Sequence, residues 1–296
     1  METGLVLAIL SSMCFGGCQV LVRRGTHQIE ESTTATTVAV LVGTALFGLV
    51  LPLSGDWSKL WSLSWQGFIF LSLAGIIHFV AGRYCLYSSI RILGANKGSA
   101  IVRLNILFTV IFGVVFLHES ITALLVVGAL GIMVGTTLVS FHREGKALFT
   151  VSAGQSRGLF FALGAAILTT ISIILVKQGV REVGSPYVAT FVSFAASFVV
   201  MTILVSGKRQ RDQLFQLPRS TLIILTLSGI LGLVGQLLRY AALNYSPVSV
   251  VQPILGTIVL FVFFFSLMLN RKIDVFTWRV FTGILFIVIG TFLLFL

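Results

Sequence analysis

Ten apolar runs follow one another along this 296-residue chain, and they constrain its fold more than any other feature of the sequence. A transmembrane α-helix needs roughly 17–25 predominantly apolar residues to cross the hydrocarbon core of a bilayer. Runs of this kind predict ten spans, at about residues 3–22, 35–53, 66–88, 98–117, 120–141, 158–176, 187–206, 219–243, 248–269 and 275–296. The predicted fold class is therefore an all-α integral membrane protein with ten transmembrane helices.

The composition supports this fold class. Hydrophobic residues make up 57% of the chain and charged residues 10%, and the mean hydropathy is +1.06, whereas a soluble domain carries about 25% charged residues. No polar stretch is long enough for a soluble domain, so we expect a multi-pass protein of the plasma (inner) membrane. The net charge of +11 does not indicate a nucleic-acid partner, because the basic residues are spread over the loops between spans.

The two halves of the chain resemble each other at a nearly constant offset. Gly4-Leu5 aligns with Gly158-Leu159 at an offset of 154 residues, and the pair Gly128 and Gly135 aligns with Gly283 and Gly290 at an offset of 155. This pattern predicts a first five-helix repeat at 1–141, a cytoplasmic linker at 142–156 and a second five-helix repeat at 157–296. Because five is odd, consecutive copies cross the bilayer in opposite directions, and such inverted repeats recur in secondary transporters.

The distribution of Lys and Arg predicts which loops are cytoplasmic. The predicted loops after helices 1, 3, 5, 7 and 9 contain 14 of the 20 basic residues, and the loops after helices 2, 4, 6 and 8 contain three, namely Lys59, Lys177 and Arg181. The first set of loops is therefore predicted to face the cytoplasm, which places both chain termini outside.

Two polar stripes occupy equivalent places in the fourth and ninth helices, 153 residues apart. Their members, spaced i, i+3 and i+7, are Asn96, Ser99 and Arg103 in the first stripe and Ser249, Gln252 and Gly256 in the second. This spacing puts each stripe on one helix face. An arginine within an apolar span is costly and usually faces the bundle interior or a water-filled cavity. Both stripes are therefore predicted to line a transport path near the middle of the membrane.

Three arginines lie within spans, and they define a candidate binding site for an anionic or zwitterionic solute. A guanidinium carries a permanent positive charge on a planar fork that suits a carboxylate or a phosphate. The predicted substrate-binding residues are His78, Arg83, Ser99, Arg103, Asn105, Gln236, Arg239, Tyr240 and Gln252. Pro253 is predicted to act as a hinge, because it removes a backbone hydrogen bond within the ninth helix.

Each of these residues also has an explanation that involves no substrate. Arg239 stands near a helix end, from which an arginine can extend its guanidinium to the membrane interface. His78 can be an interior histidine with satisfied hydrogen bonds, and Gln236 and Gln252 can bond across helices. Pro253 can be a packing kink without a role in gating.

The residues that are absent from the spans narrow the function further. All nine acidic residues lie at span ends or in loops, so no mid-membrane carboxylate is available to exchange protons for an apolar cation. Cys14, Cys18 and Cys85 lie in apolar runs and are expected to pack in the interior. The histidines are scattered, and neither a phosphate-binding Gly-rich loop nor a Ser-His-Asp set can be identified. We expect no enzymatic activity, no metal site and no cofactor.

Three short segments carry a resemblance to a known family. Leu93–Ala100 opens the fourth helix, His118-Glu119-Ser120 closes it, and Ala242–Tyr245 precedes Ser246-Pro247. With the ten-span pattern, which covers essentially the whole chain, they resemble the drug/metabolite transporter superfamily and specifically its ten-helix EamA-type permeases. His118 and Ser120 depart from the Gly-Glu-Arg-like turn that is usual in the family. The resemblance implies the fold and transport, but not the substrate, because members carry amino acids, sugars, nucleotide derivatives and drugs.

The sequence thus predicts a permease that moves a small polar metabolite, anionic or zwitterionic such as an amino acid or organic acid, by alternating access. Two alternatives stay open, namely a sugar-phosphate or nucleotide-sugar exchanger and a non-transporting membrane scaffold or lipid-carrier translocase. The expected partners are a small-molecule solute and the lipid bilayer, and the protein is expected to be a monomer or a homodimer.

Overall fold

The computed structural model describes residues 2–25, 32–93, 98, 101–120, 122–140, 156–204, 219–269 and 278–295. Within these ranges the chain is helical and contains no β-strand. The predicted site residue Ser99, its stripe neighbour Asn96 and nearly all of the predicted linker at 142–156 lie outside the described residues.

The described helices occupy all ten of the predicted positions. Their bounds are α1 Glu2–Gly25, α2 Ser32–Leu53, α3 Trp65–Leu93, α4 Asn105–Leu117, α5 Ala123–Ser140, α6 Ser156–Val183, α7 Pro186–Leu204, α8 Arg219–Tyr245, α9 Val248–Leu255 continued by Ile258–Leu269, and α10 Trp278–Leu293. A one-turn helix, Trp57–Trp61, connects α2 to α3. Six of the described helices are long and apolar enough to cross a membrane, and four shorter apolar helices fill the other positions.

Two residues assigned to a loop from the sequence lie within a helix. Lys177 and Arg181 were predicted to lie in the loop after the sixth helix, but α6 continues to Val183 and contains both, and the Lys177 side chain is buried within the bundle. The prediction ended the helix where its apolar run ends, whereas tertiary contacts extend it by almost two more turns.

Equivalent helices of the two repeats pack against each other in opposite directions. In α5 and α10, Gly128 lies against Gly290 and Gly135 lies against Gly283. Residue numbers increase along α5 where they decrease along α10, so the two helices are antiparallel. The α2–α7 contact follows the same rule, because Gly43 meets Phe194 and Gly48 meets Phe191. Counterparts that run antiparallel are what inverted repeats require, so the chain is built from two five-helix repeats of opposite orientation.

The remaining major contacts also occur in matched pairs. The α1–α8 contact corresponds to the α6–α3 contact, because α1 and α6 are counterparts in the two repeats and so are α8 and α3. Gly4 lies against Ser246 in the first contact, and Gly158 lies against Leu93 in the second. At both positions a β-carbon would collide with the facing residue. Hydroxyls reinforce both contacts across the interface, because Ser11 donates to the Gly235 carbonyl at 2.7 Å and Ser172 donates to the Ala74 carbonyl at 2.8 Å.

Both α4 and α9 are interrupted at equivalent positions. Residues 103 and 104 form a turn before α4, and residues 256 and 257 form a turn within α9, which is again an offset of 153. Pro253 precedes the second turn and accepts a 2.8 Å hydrogen bond from the Gly256 amide, but the first turn contains no proline. The interruption is therefore a property of the repeat, and Pro253 alone does not explain it.

One distortion occurs in a single repeat. Residues Ile76–Gly82 of α3 form a π-helical segment, whereas the equivalent stretch of α8 is regular α-helix. Such segments insert an extra residue into a helix and are frequent at functional sites. This segment carries His78 and immediately precedes Arg83, so it sets the direction in which both side chains leave α3.

Exposed tryptophans mark the two ends of the bundle. Trp57, Trp61 and Trp65 lie at the end where α2 finishes and α3 starts, and Trp278 lies at the opposite end, where α10 starts. Indole rings favour the membrane–water interface because they have an apolar body and a polar N–H. Their placement is what a bilayer-spanning bundle requires.

Gly135→Ala should lower the melting temperature of the purified protein. An added β-carbon would meet the Gly283 carbonyl oxygen at 2.5 Å and the Ile287 amide nitrogen at 2.8 Å, and overpacking of this kind costs roughly 1–3 kcal/mol. Gly131→Ala, one turn earlier, is the control, because its nearest facing atom lies at 3.5 Å and alanine favours a helix by up to about 1 kcal/mol. Equal effects of the two substitutions in a detergent thermal-unfolding assay would contradict this packing.

Candidate functional site

A cluster of cationic and polar side chains faces the interior from α3 and α8, which are counterparts in the two repeats. His78 lies near the midpoint of α3, Arg83 lies further along it, and Arg239 lies near the end of the oppositely directed α8. Both arginines lie within Coulomb range of His78, and Arg83 lies within Coulomb range of Arg239. We call His78, Arg83, Gln236 and Arg239 the α3–α8 cluster.

Arg239 is the most enclosed cation of the cluster. Its side chain is 5% exposed, and its Nε and Nη2 atoms are buried without a hydrogen-bond partner among the described residues. The amide nitrogen of Gln236, one turn earlier on α8, is likewise buried and unpartnered. The guanidinium carbon lies 5.9 Å from the centroid of the adjacent Tyr240 ring, which is itself fully buried. Three donor nitrogen atoms are therefore buried in the interior with nothing in the described chain to accept their hydrogen bonds.

Arg83 is oriented by hydroxyl groups. Its Nη1 donates to the Tyr87 hydroxyl at 3.4 Å, one turn further along α3, and that hydroxyl is 3.3 Å from the hydroxyl of Thr36 on α2. Tyr87 and Thr36 were not among the residues predicted from the sequence. The spacing of Arg83 and Tyr87, four residues apart on one helix face, was the available signal for Tyr87.

The first turns of α9 add a second polar group. The Ser249 hydroxyl and the Gln252 amide oxygen, three residues apart on one face, are both buried and unpartnered in the part of the chain that is described. Pro253 follows directly and is also buried. These residues lie in the segment between the α8–α9 turn and the interruption at 256–257.

Among the described residues, no hydrogen bond or ion pair joins Arg103 or Asn105 to the α3–α8 cluster. Arg103 lies in the turn before α4, and its Nε is buried and unpartnered within the described chain. The backbone carbonyl of Asn105 accepts a 3.3 Å hydrogen bond from the Thr170 hydroxyl of α6. The sequence predicted one site that includes both residues, and their membership stays a prediction.

None of the three interior arginines forms an ion pair with another described residue. The one ion pair in this part of the chain joins Lys59 to Asp56 at 2.8 Å, in the α2–α3 connection. The described ranges also contain no group of His, Cys, Asp and Glu residues that could hold a metal ion. Within the described residues, the cationic cluster thus has no protein counter-ion.

Glu119 and Lys177 hold the turn between α8 and α9. The Glu119 carboxylate accepts hydrogen bonds from the backbone amides of Val248 at 2.7 Å and Ser249 at 2.9 Å, at the start of α9. The buried Lys177 ammonium donates to the carbonyl of Leu243 and, at 2.8 Å, to that of Ser246, at the end of α8. Negative charge at a helix start and positive charge at a helix end both complement the helix dipole. These contacts position the helix ends that carry Arg239, Ser249 and Gln252.

The backbone of His118 makes the Glu119 contact possible. His118 ends α4 in a left-handed conformation with φ of 53°, and the Glu119 amide then donates to the Gly113 carbonyl at 3.2 Å. This return of the chain directs the Glu119 side chain from the first repeat onto α9 of the second. We call the end of the bundle at which α2, α4, α6 and α8 finish the Glu119 face.

Further polar contacts join the two repeats at the Glu119 face. The Ser185 hydroxyl donates to the Asp56 carboxylate at 2.6 Å, and the Ser64 hydroxyl donates to Glu182 at 3.3 Å. The hydrogen bond from Lys59, followed by that from Ser185, lowers the pKa of Asp56 below its ordinary value. In the Ser185–Asp56 and Ser64–Glu182 contacts one partner comes from the first repeat and the other from the second, so these contacts link the two repeats at this face.

A groove of about 300 Å³ between α1, α9 and α10 contains none of the predicted site residues. It is lined mainly by apolar side chains such as Ile9, Phe261 and Phe292, with Thr257 and Thr291 as its polar members. An apolar lining suits hydrocarbon better than a charged solute, because a buried charge needs a polar partner. The α3–α8 cluster therefore remains the candidate substrate site.

Glu119→Gln should lower the melting temperature of the protein. Glutamine keeps one acceptor oxygen but places an NH₂ group against a backbone N–H of α9, and a buried unsatisfied donor costs roughly 1–3 kcal/mol. Glu182→Gln is the matched control, because Glu182 is exposed and accepts one 3.3 Å hydrogen bond from a hydroxyl. If both variants unfold at the wild-type temperature, Glu119 does not hold α9 in place.

Comparisons with known proteins agree with this architecture. A family model described as "EamA-like transporter family" matches residues 2–141 and again residues 156–296. A curated protein from Sinorhizobium sp., described as "Uncharacterized transporter in cobO 3'region", is 27% identical over 136 residues, which are 46% of this chain and 94% of that protein. A solved structure described as "Crystal structure of protein" has a TM-score of 0.79 and 14% identity over 99% of this chain and 96% of that one, a similarity of fold.

Proposed function

Because this chain belongs to the EamA-like transporter family, we propose that it is a secondary permease that carries a small anionic or zwitterionic metabolite across the plasma membrane by alternating access. The family and the curated relative support transport in general. The charge of the solute is our inference from the α3–α8 cluster.

The observation that carries the proposal is the unpaired Arg239 guanidinium. It is 5% exposed, two of its nitrogen atoms are unpartnered, and no described carboxylate forms an ion pair with it. Removing a guanidinium from water costs several kcal/mol unless hydrogen bonds and an opposite charge replace the lost solvation. A carboxylate or phosphate on the solute supplies both, and the planar fork of arginine binds either group with two parallel hydrogen bonds.

Alternating access is supported by the relation between the repeats. Transporters of inverted-repeat design bind solute at the repeat interface, near interrupted helices, and expose the site to each side in turn. Here α4 and α9 are interrupted at equivalent positions, and the links between repeats at the Glu119 face belong to a state closed on that side. Opening would break the contact of Glu119 with α9, while Lys177 would move together with α8 because both belong to the second repeat.

Arg239→Gln should lower kcat/KM for uptake into proteoliposomes by roughly tenfold or more, the value of one charge-assisted hydrogen-bonded contact. The substrate would first be found with a panel of labelled carboxylates, amino acids, sugar phosphates and nucleotides. Arg219→Gln is the matched control on the same helix, because Arg219 is exposed at the far end of α8.

Two results would overturn the proposed function. One is that no member of the panel enters the vesicles above the protein-free rate. The other is that Arg239→Gln and Arg219→Gln transport equally well. Uptake that strictly requires solute inside the vesicle would instead identify an exchanger.

A further inference from the structure

We propose that the α3–α8 cluster selects a small dianion, a dicarboxylate or a phosphate monoester, over monoanions and zwitterions. This inference rests on the proposed function, because it concerns the same site, but it goes further by assigning the number of charges that the solute must carry.

The charge balance of the cluster is the first argument. Arg83 and Arg239 are permanently charged, since an arginine side chain is not deprotonated in proteins. They lie within Coulomb range of each other and of His78. Their fixed charge is therefore at least two positive units within one low-dielectric region, where like charges repel strongly.

The described acidic residues do not neutralise this charge. They are Glu2, Asp56, Glu119 and Glu182, and all four lie at or beside the Glu119 face. Asp56 is bound by Lys59 and Ser185, and Glu119 is bound by the backbone of α9. The described groups around the two arginines are instead uncharged hydrogen-bonding side chains, such as the Tyr87 hydroxyl and the Gln236 amide.

Solutes with other charges fit this balance less well. A monoanion would leave one guanidinium without a counter-charge, which carries the full penalty of a buried, unpaired ion. A zwitterion would bring an ammonium group next to two guanidiniums, with no described carboxylate to receive it. The two guanidiniums would repel the ammonium group of a zwitterion, so the site would discriminate between solutes by repulsion as well as by attraction.

The placement of the arginines also suits a solute with two anionic ends. Arg239 lies near the end of α8 at the Glu119 face, whereas Arg83 lies past the midpoint of α3 and further from that face. Arg83 is held by Tyr87 at one nitrogen and remains partly accessible, and Arg239 keeps two free nitrogens. Each guanidinium can thus meet one end of a dicarboxylate, or the two can share the oxygens of one phosphate.

A matched set of small probes tests the charge requirement in purified protein at pH 7.5. Succinate carries two carboxylates, succinamate replaces one of them by an amide, and 4-aminobutyrate replaces one by an ammonium-bearing carbon. Glycerol 3-phosphate represents the phosphate monoesters. We expect succinate or glycerol 3-phosphate to bind with a Kd roughly tenfold or more below those of succinamate and 4-aminobutyrate, and the tighter of the two identifies the anionic group.

Single arginine substitutions test which residues set that ratio. Arg83→Gln and Arg239→Gln should each reduce the preference for dianion over monoanion to about one, because one fixed charge then remains. Arg91→Gln on α3 and Arg219→Gln on α8 are the controls, since both residues are exposed and should leave the ratio unchanged. If an arginine had a purely structural role, its substitution would weaken the binding of all probes equally and would not change the ratio of dianion to monoanion affinity.

The outcomes separate this inference from the proposed function. If succinamate or 4-aminobutyrate binds as tightly as both dianions, or if neither substitution changes the ratio, selection by charge number is wrong. If the same preparation then transported a monoanion or an amino acid, the proposed function as a permease would still hold. If no solute of the transport panel is carried, the proposed function fails as well.

Discussion

A guanidinium enclosed within a membrane protein needs an opposite charge, and this constraint governs the interior of the bundle. Arg239 is nearly inaccessible and keeps two unpartnered nitrogens, and Arg83 is held by a tyrosine hydroxyl. The described chain supplies hydrogen bonds to this region but no carboxylate. An anionic solute that binds and is released supplies this opposite charge, and its binding also explains why the arginines lie in the interior.

The scaffold around these charges is symmetric, but the charges are not. The contacts between helices repeat under exchange of the two halves, and both α4 and α9 are interrupted at the same place. The interior arginines, however, have no charged counterparts: the equivalents of Arg83, Arg239 and Arg103 are Leu237, Cys85 and Gly256. The repeat thus accounts for the fold and the position of the interruption, whereas each interior arginine belongs to one copy alone.

The fold could be predicted from the sequence because apolar runs indicate the segments buried in the bilayer, and glycines at a constant offset indicate the repeat. The sequence predicted a single site that includes His78, Arg83, Gln236, Arg239 and Arg103, and the membership of Arg103 stays a prediction, because spacing along a helix gives no distance between helices. Lys177 was assigned to a loop because the apolar run ends before it. The helix nevertheless continues to Val183, since tertiary contacts stabilise its last turns, and these contacts cannot be read from the sequence. The π-helical segment before Arg83 and the Tyr87–Thr36 hydroxyl pair were not predicted, because neither leaves a periodic signal.

The unfolding of the solute-free Arg239→Gln variant tests the central claim most directly. If the guanidinium lacks a protein counter-ion, the shorter and neutral glutamine side chain should leave the melting temperature equal to or above that of the wild type, while the stabilisation that succinate or glycerol 3-phosphate gives the wild type disappears. A melting temperature several degrees below the wild type without solute would show that the protein itself satisfies Arg239, and it would contradict the account.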